Sequence, residues 1–362
     1  MKKILILLTI IFLLSGCYDY VEINDLVIIS GMIIDYKNNK YEITSQIIEN
    51  ESETKVKVYT TTCDNIDECL FKISKLSNKD IFISHLKTLI LTESLILNKK
   101  DFYDYFLRET KSKMNFNVYF IEDKYKEDIL NIYKDNNGSA LYIKELMNFN
   151  NNIFSSSTPI TFLDLIYRKL EYGIEPIYPN LKVIKNNNET VLYLDEIITY
   201  NDNNKKITLN DTNGIYYNII KNKLGKTVIN IPCDKNTFSV LIENSKSSFK
   251  LNKNGFNINT NLKVKINSYN CKYDLDNPKD IDTLSKLINN HIKNNIEDVI
   301  NIAKENNVDF IGIGNYIYKH NKKYFDFKND NWNNHLKEIN VNIKVKTIIN
   351  SIGELKKWIK KK

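Results

Sequence analysis

The sequence predicts an α+β protein of several small domains, each a largely antiparallel sheet flanked by helices. Three observations carry that expectation. Hydrophobic residues make up 42% of the 362 residues and charged residues 26%, which is ordinary globular usage and enough apolar material for sizeable cores. Period-two runs such as Phe256–Ile266 stand beside helical runs such as Asp280–Asn306, so strands and helices are both present. The two kinds of run are mixed without the regular strand–helix alternation of a doubly wound sheet. Only 10 Gly and 5 Pro leave no room for a linker-rich architecture.

The chain opens MKKILILLTIIFLLSGC. Lys2 and Lys3 form a positive start, and Ile4–Leu14 is an apolar run broken only by Thr9. That run is too short to cross a hydrocarbon core of about 30 Å and suits a signal peptide. Leu14-Ser15-Gly16-Cys17 follows and resembles a bacterial lipobox, in which small residues admit a peptidase before a lipid-bearing cysteine. Residues 1–16 are therefore expected to be removed and Cys17 to carry the lipid. Each buried CH₂ contributes roughly 0.8 kcal/mol, so two or three acyl chains anchor firmly. No later stretch holds 18 consecutive apolar residues, so the remainder is expected to sit outside the membrane core.

Leu26–Ile34 and Tyr41–Ile48 read as a hairpin across DYKNNK, and Lys55–Thr62 as a third strand. Ile66, Leu70, Ile73 and Leu76 are spaced for a helix. His85–Thr92 is a strand. Asp101–Arg108 is a helix capped by Asp101. Asn115–Ile121 is a strand, followed by helices over Asp123–Tyr133 and Leu141–Phe149. A polar, Ser-rich loop to Thr158 leads through Pro159 into a helix over Thr161–Leu170. Leu181–Ile184 is a short strand, and Asn186-Asn187-Asn188 marks a boundary. The domains are thus expected as 1–16, the signal; 17–188, with two subdomains; and 189–362. In the last, Thr190–Tyr200, Lys226–Ile231, Thr237–Glu243, Phe249–Leu251 and Phe256–Ile266 read as strands. A helix over residues 280–306 follows, capped by Asp280 or Asp282 and about 40 Å long. Shorter helices at Phe310–Tyr318 and Lys322–Phe327 and a strand at Ile339–Ile349 close the chain.

The chemistry-bearing residues do not assemble into a known reactive pattern. His85, His291, His320 and His335 stand apart from one another and from cysteine, so no metal site is expected. There is no G-x-S-x-G, and Ser155, Ser156 and Ser157 read as a polar loop. Gly312-Ile313-Gly314 lacks the third glycine of a dinucleotide loop and reads as a turn or close packing before a helix. Neither an enzyme nor a cofactor is indicated. Export makes disulfides permissible. Cys63 and Cys69 suit neither a zinc knuckle nor a redox pair, although a helix beginning at Cys69 brings Cys63 within reach. With Cys233 and Cys271 three pairings exist, and free buried thiols are the default expectation. The net charge of +7 falls to +5 once Lys2 and Lys3 are gone, and much of it sits in the tail from Lys356 to Lys362. Arg108 and Arg168 are the only arginines beside 54 asparagines, a balance that looks like codon bias. Nucleic acid is not an expected partner. The 23 tyrosines are candidate interface residues.

The order of small motifs behind Cys17 is distinctive. Cys17-Tyr18-Asp19 and Glu22-Ile23-Asn24-Asp25-Leu26, then Gly31 and Asp35, resemble the mature start of the Ger(x)C family. Ser84-His85-Leu86-Lys87 with Glu93 is similar to that family's His-Leu-Lys strand, and Asp104–Arg108 to its Phe-Leu-Arg helix. Asp309–Tyr318 resembles its Asp-x-x-Gly-x-Gly block, with Trp332 and the strand Val341–Lys346 after it. Tyr18 replaces the usual Trp, and Tyr20 and Val21 replace a basic pair. The resemblance implies a non-enzymatic lipoprotein, the C subunit of a spore nutrient germinant receptor. It would lie on the outer face of the spore's inner membrane and act with two integral-membrane subunits, A and B. It implies no catalytic residue and no cofactor. The competing expectation is a solute-binding lipoprotein of a transporter, which usually shows two βαβ lobes.

Overall fold

The computed structural model describes residues 25–48, 56–99, 101–109, 112–134, 140–186, 189–253, 255–323 and 332–351. The signal segment, Cys17 and the lysine tail lie outside them, as does Lys322–Phe327 beyond Lys323.

Strand β1 (Leu26–Lys37) turns back into β2 (Lys40–Ile48) through Asn38 and Asn39, at φ 53° and 60°. Two left-handed residues match the right-handed strand twist, and asparagine tolerates that conformation. Then come β3 (Val56–Cys63), helix α1 (Ile66–Ser77), β4 (Asp80–Phe82), β5 (Thr88–Thr92), α2 (Glu93–Asn98) and α3 (Asp104–Arg108). They continue into β6 (Asn117–Ile121), α4 (Lys126–Lys134), α5 (Ala140–Ile153), α6 (Phe162–Leu170), β7 (Tyr178–Asn186), β8 (Glu189–Tyr200) and β9 (Lys206–Leu209). The first sheet runs β3-β2-β1-β5-β6-β7-β8-β9, with β4 paired to β1. Its flanks are antiparallel and its centre, β1-β5-β6-β7, is parallel. Strands alternate their side chains between faces. Leu89, Leu91, Val118 and Phe120 meet α1, α2, α3 and α6 on one side, and Ile90, Tyr119 and Ile121 meet α4 and α5 on the other.

The second sheet, β10-β11-β12-β13, is built from β10 (Thr227–Cys233), β11 (Asn236–Asn252), β12 (Gly255–Tyr269) and β13 (Val341–Ser351). Antiparallel pairs join the first three strands, and β13 lies parallel to β12. Helix α7 (Asp211–Lys221) stands between the sheets, and α8 (Pro278–Glu305) lies along the second. Leu284, Ile288, Ile292, Ile296, Val299, Ile300 and Ala303 form the buried stripe of α8, facing Phe256, Ile258, Leu262 and Val264. Helices α9 (Ile313–His320) and α10 (Trp332–Leu336) complete the chain. The α+β class expected from the sequence is what the chain adopts, and one apolar core runs through both sheets.

Several local expectations are corrected. Asp101 is no cap: α3 begins at Asp104, whose N–H reaches the Asp101 carbonyl at 3.1 Å. Asn277 caps α8 in place of Asp280 or Asp282, and Pro278 opens the helix, where its missing N–H costs nothing. The two strands expected in 237–251 are one, because bulges near Ser239 and Ile242 let β11 bend without breaking. The strand expected from His85 starts at Thr88. The Ser-rich loop is buried: Asn218 Nδ2 donates to the carbonyls of Ser155 and Ser157 at 2.9 and 2.7 Å, locking the loop under α7. Free thiols give way to two disulfides. Cys63 joins Cys69, with Cα atoms 5.4 Å apart, and Cys233 joins Cys271, at 6.1 Å.

Candidate functional site

The residues singled out by motif gather at two buried polar centres. The first is built where α8 ends. Asp309 is fully buried, and its Oδ1 accepts the N–H groups of Gly312 and Ile313 at 2.6 and 3.0 Å. Its Oδ2 accepts Gly314 N–H and Trp332 Nε1, both at 2.7 Å. The carboxylate thus closes the amino end of α9, where orphan N–H groups and the helix dipole favour a negative charge. Burial pushes the Asp309 carboxyl up, and those four donors pull it back. Both glycines are required. Gly312 lies at φ +81°, and a Cβ on Gly314 would sit 2.4 Å from the Trp332 ring.

Arg168 of α6 ties this turn to the first half. Nη1 donates to the carbonyls of Glu175 and Phe310 at 3.0 and 3.1 Å, and Nη2 to the Tyr217 hydroxyl at 2.6 Å. Lys221, at the end of α7, donates to the Ile311 carbonyl at 2.7 Å. Burial, with help from the Arg168 charge, drives its amine down to about 7. Beside them is a cleft bordered by Lys169, Glu175, Pro176, Tyr178, Tyr200 and Asp202. Burial raises the Glu175 carboxyl, which accepts Asn333 Nδ2 at 3.1 Å.

The second centre holds the Gly-x-x-x-Asp residues. Asp35 Oδ1 accepts Thr92 Oγ1 at 2.6 Å, and Lys126 Nζ meets Asp35 Oδ2 and Glu42 Oε1, each at 2.5 Å. Burial alone would raise the Asp35 carboxyl, but the bonds from Lys126 and Thr92 and the Lys126 charge hold it below its usual range. Gly31 is needed because a Cβ there would meet Ala140 Cβ at 2.7 Å and Tyr133 Oη at 2.8 Å. One motif therefore seats α4 by charge and α5 by close approach.

The other expected residues serve packing. His85 lies against the Phe82 ring at 5.5 Å, and Leu86 is buried. Lys87 N–H bonds the Ser30 carbonyl at 2.8 Å, while Glu93 accepts from Tyr200 at 3.0 Å and pairs with Lys206. In the Phe-Leu-Arg helix, Phe106 is buried against Phe116 and Phe162, and Arg108 pairs with Asp104 on the surface. His291 rests near the Tyr216 ring at 6.3 Å, and burial lowers it. Gly312 and Gly314 belong to the Asp309 turn and to no phosphate loop. Arg168, Glu175 and Lys221 were not singled out in the sequence as site residues. The scarcity of arginine marks Arg168, but nothing local separates Lys221 from the other lysines. Among the described residues, no group of three His, Cys, Asp or Glu is placed to hold a metal. Among them, too, no helix is long and apolar enough to cross a membrane.

Residues 19–183 match the family described as "Spore germination protein N-terminal domain", and residues 198–353 match "Spore germination B3/ GerAC like, C-terminal". The chain is 22% identical over 389 aligned positions to "Spore germination protein KC" of Bacillus subtilis (strain 168), covering 97% of this chain and 95% of that one. Its fold is similar to that in "Crystal Structure of the GerBC protein", with a TM-score of 0.53 at 14% identity over 89% of this chain and 97% of that one. With both of its halves matched in order, the chain belongs to the Ger(x)C family of spore germination proteins.

Proposed function

We propose that the chain is the C subunit of a spore nutrient germinant receptor, held by a lipid on Cys17 to the outer face of the spore's inner membrane. There it acts in assembly or signalling with the integral-membrane A and B subunits. The observation that carries the anchor is Leu14-Ser15-Gly16-Cys17 directly before a chain matched to spore germination proteins over nearly all of its length. The role is one of binding and positioning. The motif acids Asp35 and Asp309 and the neighbouring cations Lys126 and Arg168 are spent on contacts between elements and are not presented to a substrate. Replacing Cys17 by alanine tests the reading. The expected result is loss of the protein from spore membrane fractions together with slower germination on nutrients. Undiminished membrane retention would place the anchor elsewhere.

A further inference from the structure

Helix α6 is apolar on both sides. Phe162, Leu165 and Ile166 are buried beneath it, while Leu163, Tyr167 and Leu170 are 58%, 39% and 63% exposed on the opposite face. Positions i, i+4 and i+7 share one face, so these three form a continuous stripe. A run of exposed apolar side chains along one helix face marks a surface that meets a partner or a membrane. The stripe extends into Tyr172, whose ring lies 5.3 Å from that of Tyr318 at the end of α9. Its rim is basic. Lys319 Nζ stands 4.6 Å over the Tyr167 ring and donates to its hydroxyl, Lys322 stands 5.6 Å over Tyr318, and Lys169 and Lys323 are exposed nearby. The acids are engaged within the fold. Asp164 closes the capping box of α6, and Glu171 bonds Asn315 and Lys319.

We infer that this stripe, from Leu163 to Tyr172 with Tyr318 and its lysines, lies on an anionic bilayer surface. Leucine with tyrosine and outward lysine is the composition that settles at lipid headgroups, rings in the interface and ammonium groups among the phosphates. The chain's entry fits that orientation. Helices α1, α3 and α6 cover the same side of the first sheet, with Phe106 of α3 5.0 Å from Phe162 of α6. β1 begins beside β4, directly after α1. α1 also turns Phe71 outward, 60% exposed, under Lys75. Eight residue steps from Cys17 to Asp25 span at most about 28 Å. A lipid on Cys17 therefore keeps this helical layer close to the membrane. The tether rests on the proposed lipidation; the stripe does not.

The test uses the full chain carrying Cys17→Ala and either Leu170→Cys or Phe149→Cys, labelled with an environment-sensitive fluorophore. Phe149 is exposed on α5, on the opposite side of the sheet. The proteins are mixed with vesicles of phosphatidylglycerol and phosphatidylcholine, or of phosphatidylcholine alone. Residues 1–16 can bring any variant to a vesicle, so the environment of the label is read and not the bound fraction. The label at 170 should move into lipid and be quenched by a lipid-borne quencher, while that at 149 stays in water. Lys319→Gln with Lys322→Gln should lower the docked-to-undocked ratio at least tenfold, since each surface lysine contributes roughly fivefold. A label at 170 that stays in water on vesicle-bound protein overturns the inference. Shielding of position 170 in spore membranes but not in vesicles also overturns it and identifies a protein cover. Membrane loss in the Cys17→Ala spores decides the anchor separately.

Discussion

Replacing Asp309 by asparagine keeps the shape of the residue and changes the sign of half of its contacts. In the native turn two donors converge on each carboxylate oxygen. An amide retains one oxygen, which can still serve Gly312 and Ile313. Its NH₂ group then faces the Gly314 N–H and Trp332 Nε1–H, and both are left buried without an acceptor. Each such donor costs about 1–3 kcal/mol, partly offset because the neutral amide no longer buries a charge. A net loss of about 3 kcal/mol is expected in urea unfolding followed by far-UV circular dichroism. Trp332→Phe removes one of the two stranded donors, so it should cost less in the asparagine background than in the native one. The coupling between the two changes should reach about 1–2 kcal/mol. A loss below about 1 kcal/mol for Asp309→Asn, or a coupling indistinguishable from zero, would refute the account of Asp309 as the anchor of α9.

Three further outcomes follow from the same geometry. Gly314→Ala drives a methyl group into the Trp332 ring and should lower stability by more than about 2 kcal/mol in the same assay. Lys221 titrates near 7 in the fold against 10.5 when free, a difference of about 5 kcal/mol at saturation. Below pH 7 the buried ammonium burdens the fold in full. Between pH 7 and 10.5 the unfolded chain holds a proton the folded one has shed, so stability should climb with pH. Lys221→Met should flatten that climb, as read from urea midpoints at pH 7 and pH 9. Cys233 and Cys271 close a loop of sequence separation 38, and Cys63 and Cys69 one of 6. In the chain-entropy view, replacing each pair with serine should cost about 4 and about 2 kcal/mol respectively.

The sequence exposes those parts of the fold that rest on periodicity. The 3.6-residue spacing from Leu284 to Ala303 placed α8, and two asparagines between alternating runs placed the first hairpin. It hid short elements held by their surroundings. β4 is three residues paired with β1, and β9 is four residues at the end of the first sheet. The Ser155–Thr158 segment looks like a solvated loop, because its burial depends on Asn150 and Asn218, one distant in sequence and both elsewhere in the fold. The polar centres divide in the same way. Gly312 and Gly314 read as a turn or close packing before a helix; Gly312 is the cap of α9, and Gly314 lies inside its first turn, packed on Trp332. The depressed amine of Lys221 arises from the desolvation of a packed interior, with a smaller push from Arg168, 53 positions away in the sequence.

The parallel pairing of β13 with β12 orders events as the chain is made. The two strands lie side by side over ten registered pairs, yet α8, α9 and α10 are synthesised between them. Until Val341–Ser351 emerges, β12 presents its bonding groups along an open edge, and the long loop closure makes this a slow step. Made amino end first, the chain completes its second sheet only once α8, α9 and α10 have followed β12. A stop codon between Tyr269 and Val341 would leave β12 as an open sheet margin, and the expected phenotype is aggregation or proteolysis and not a shortened working protein.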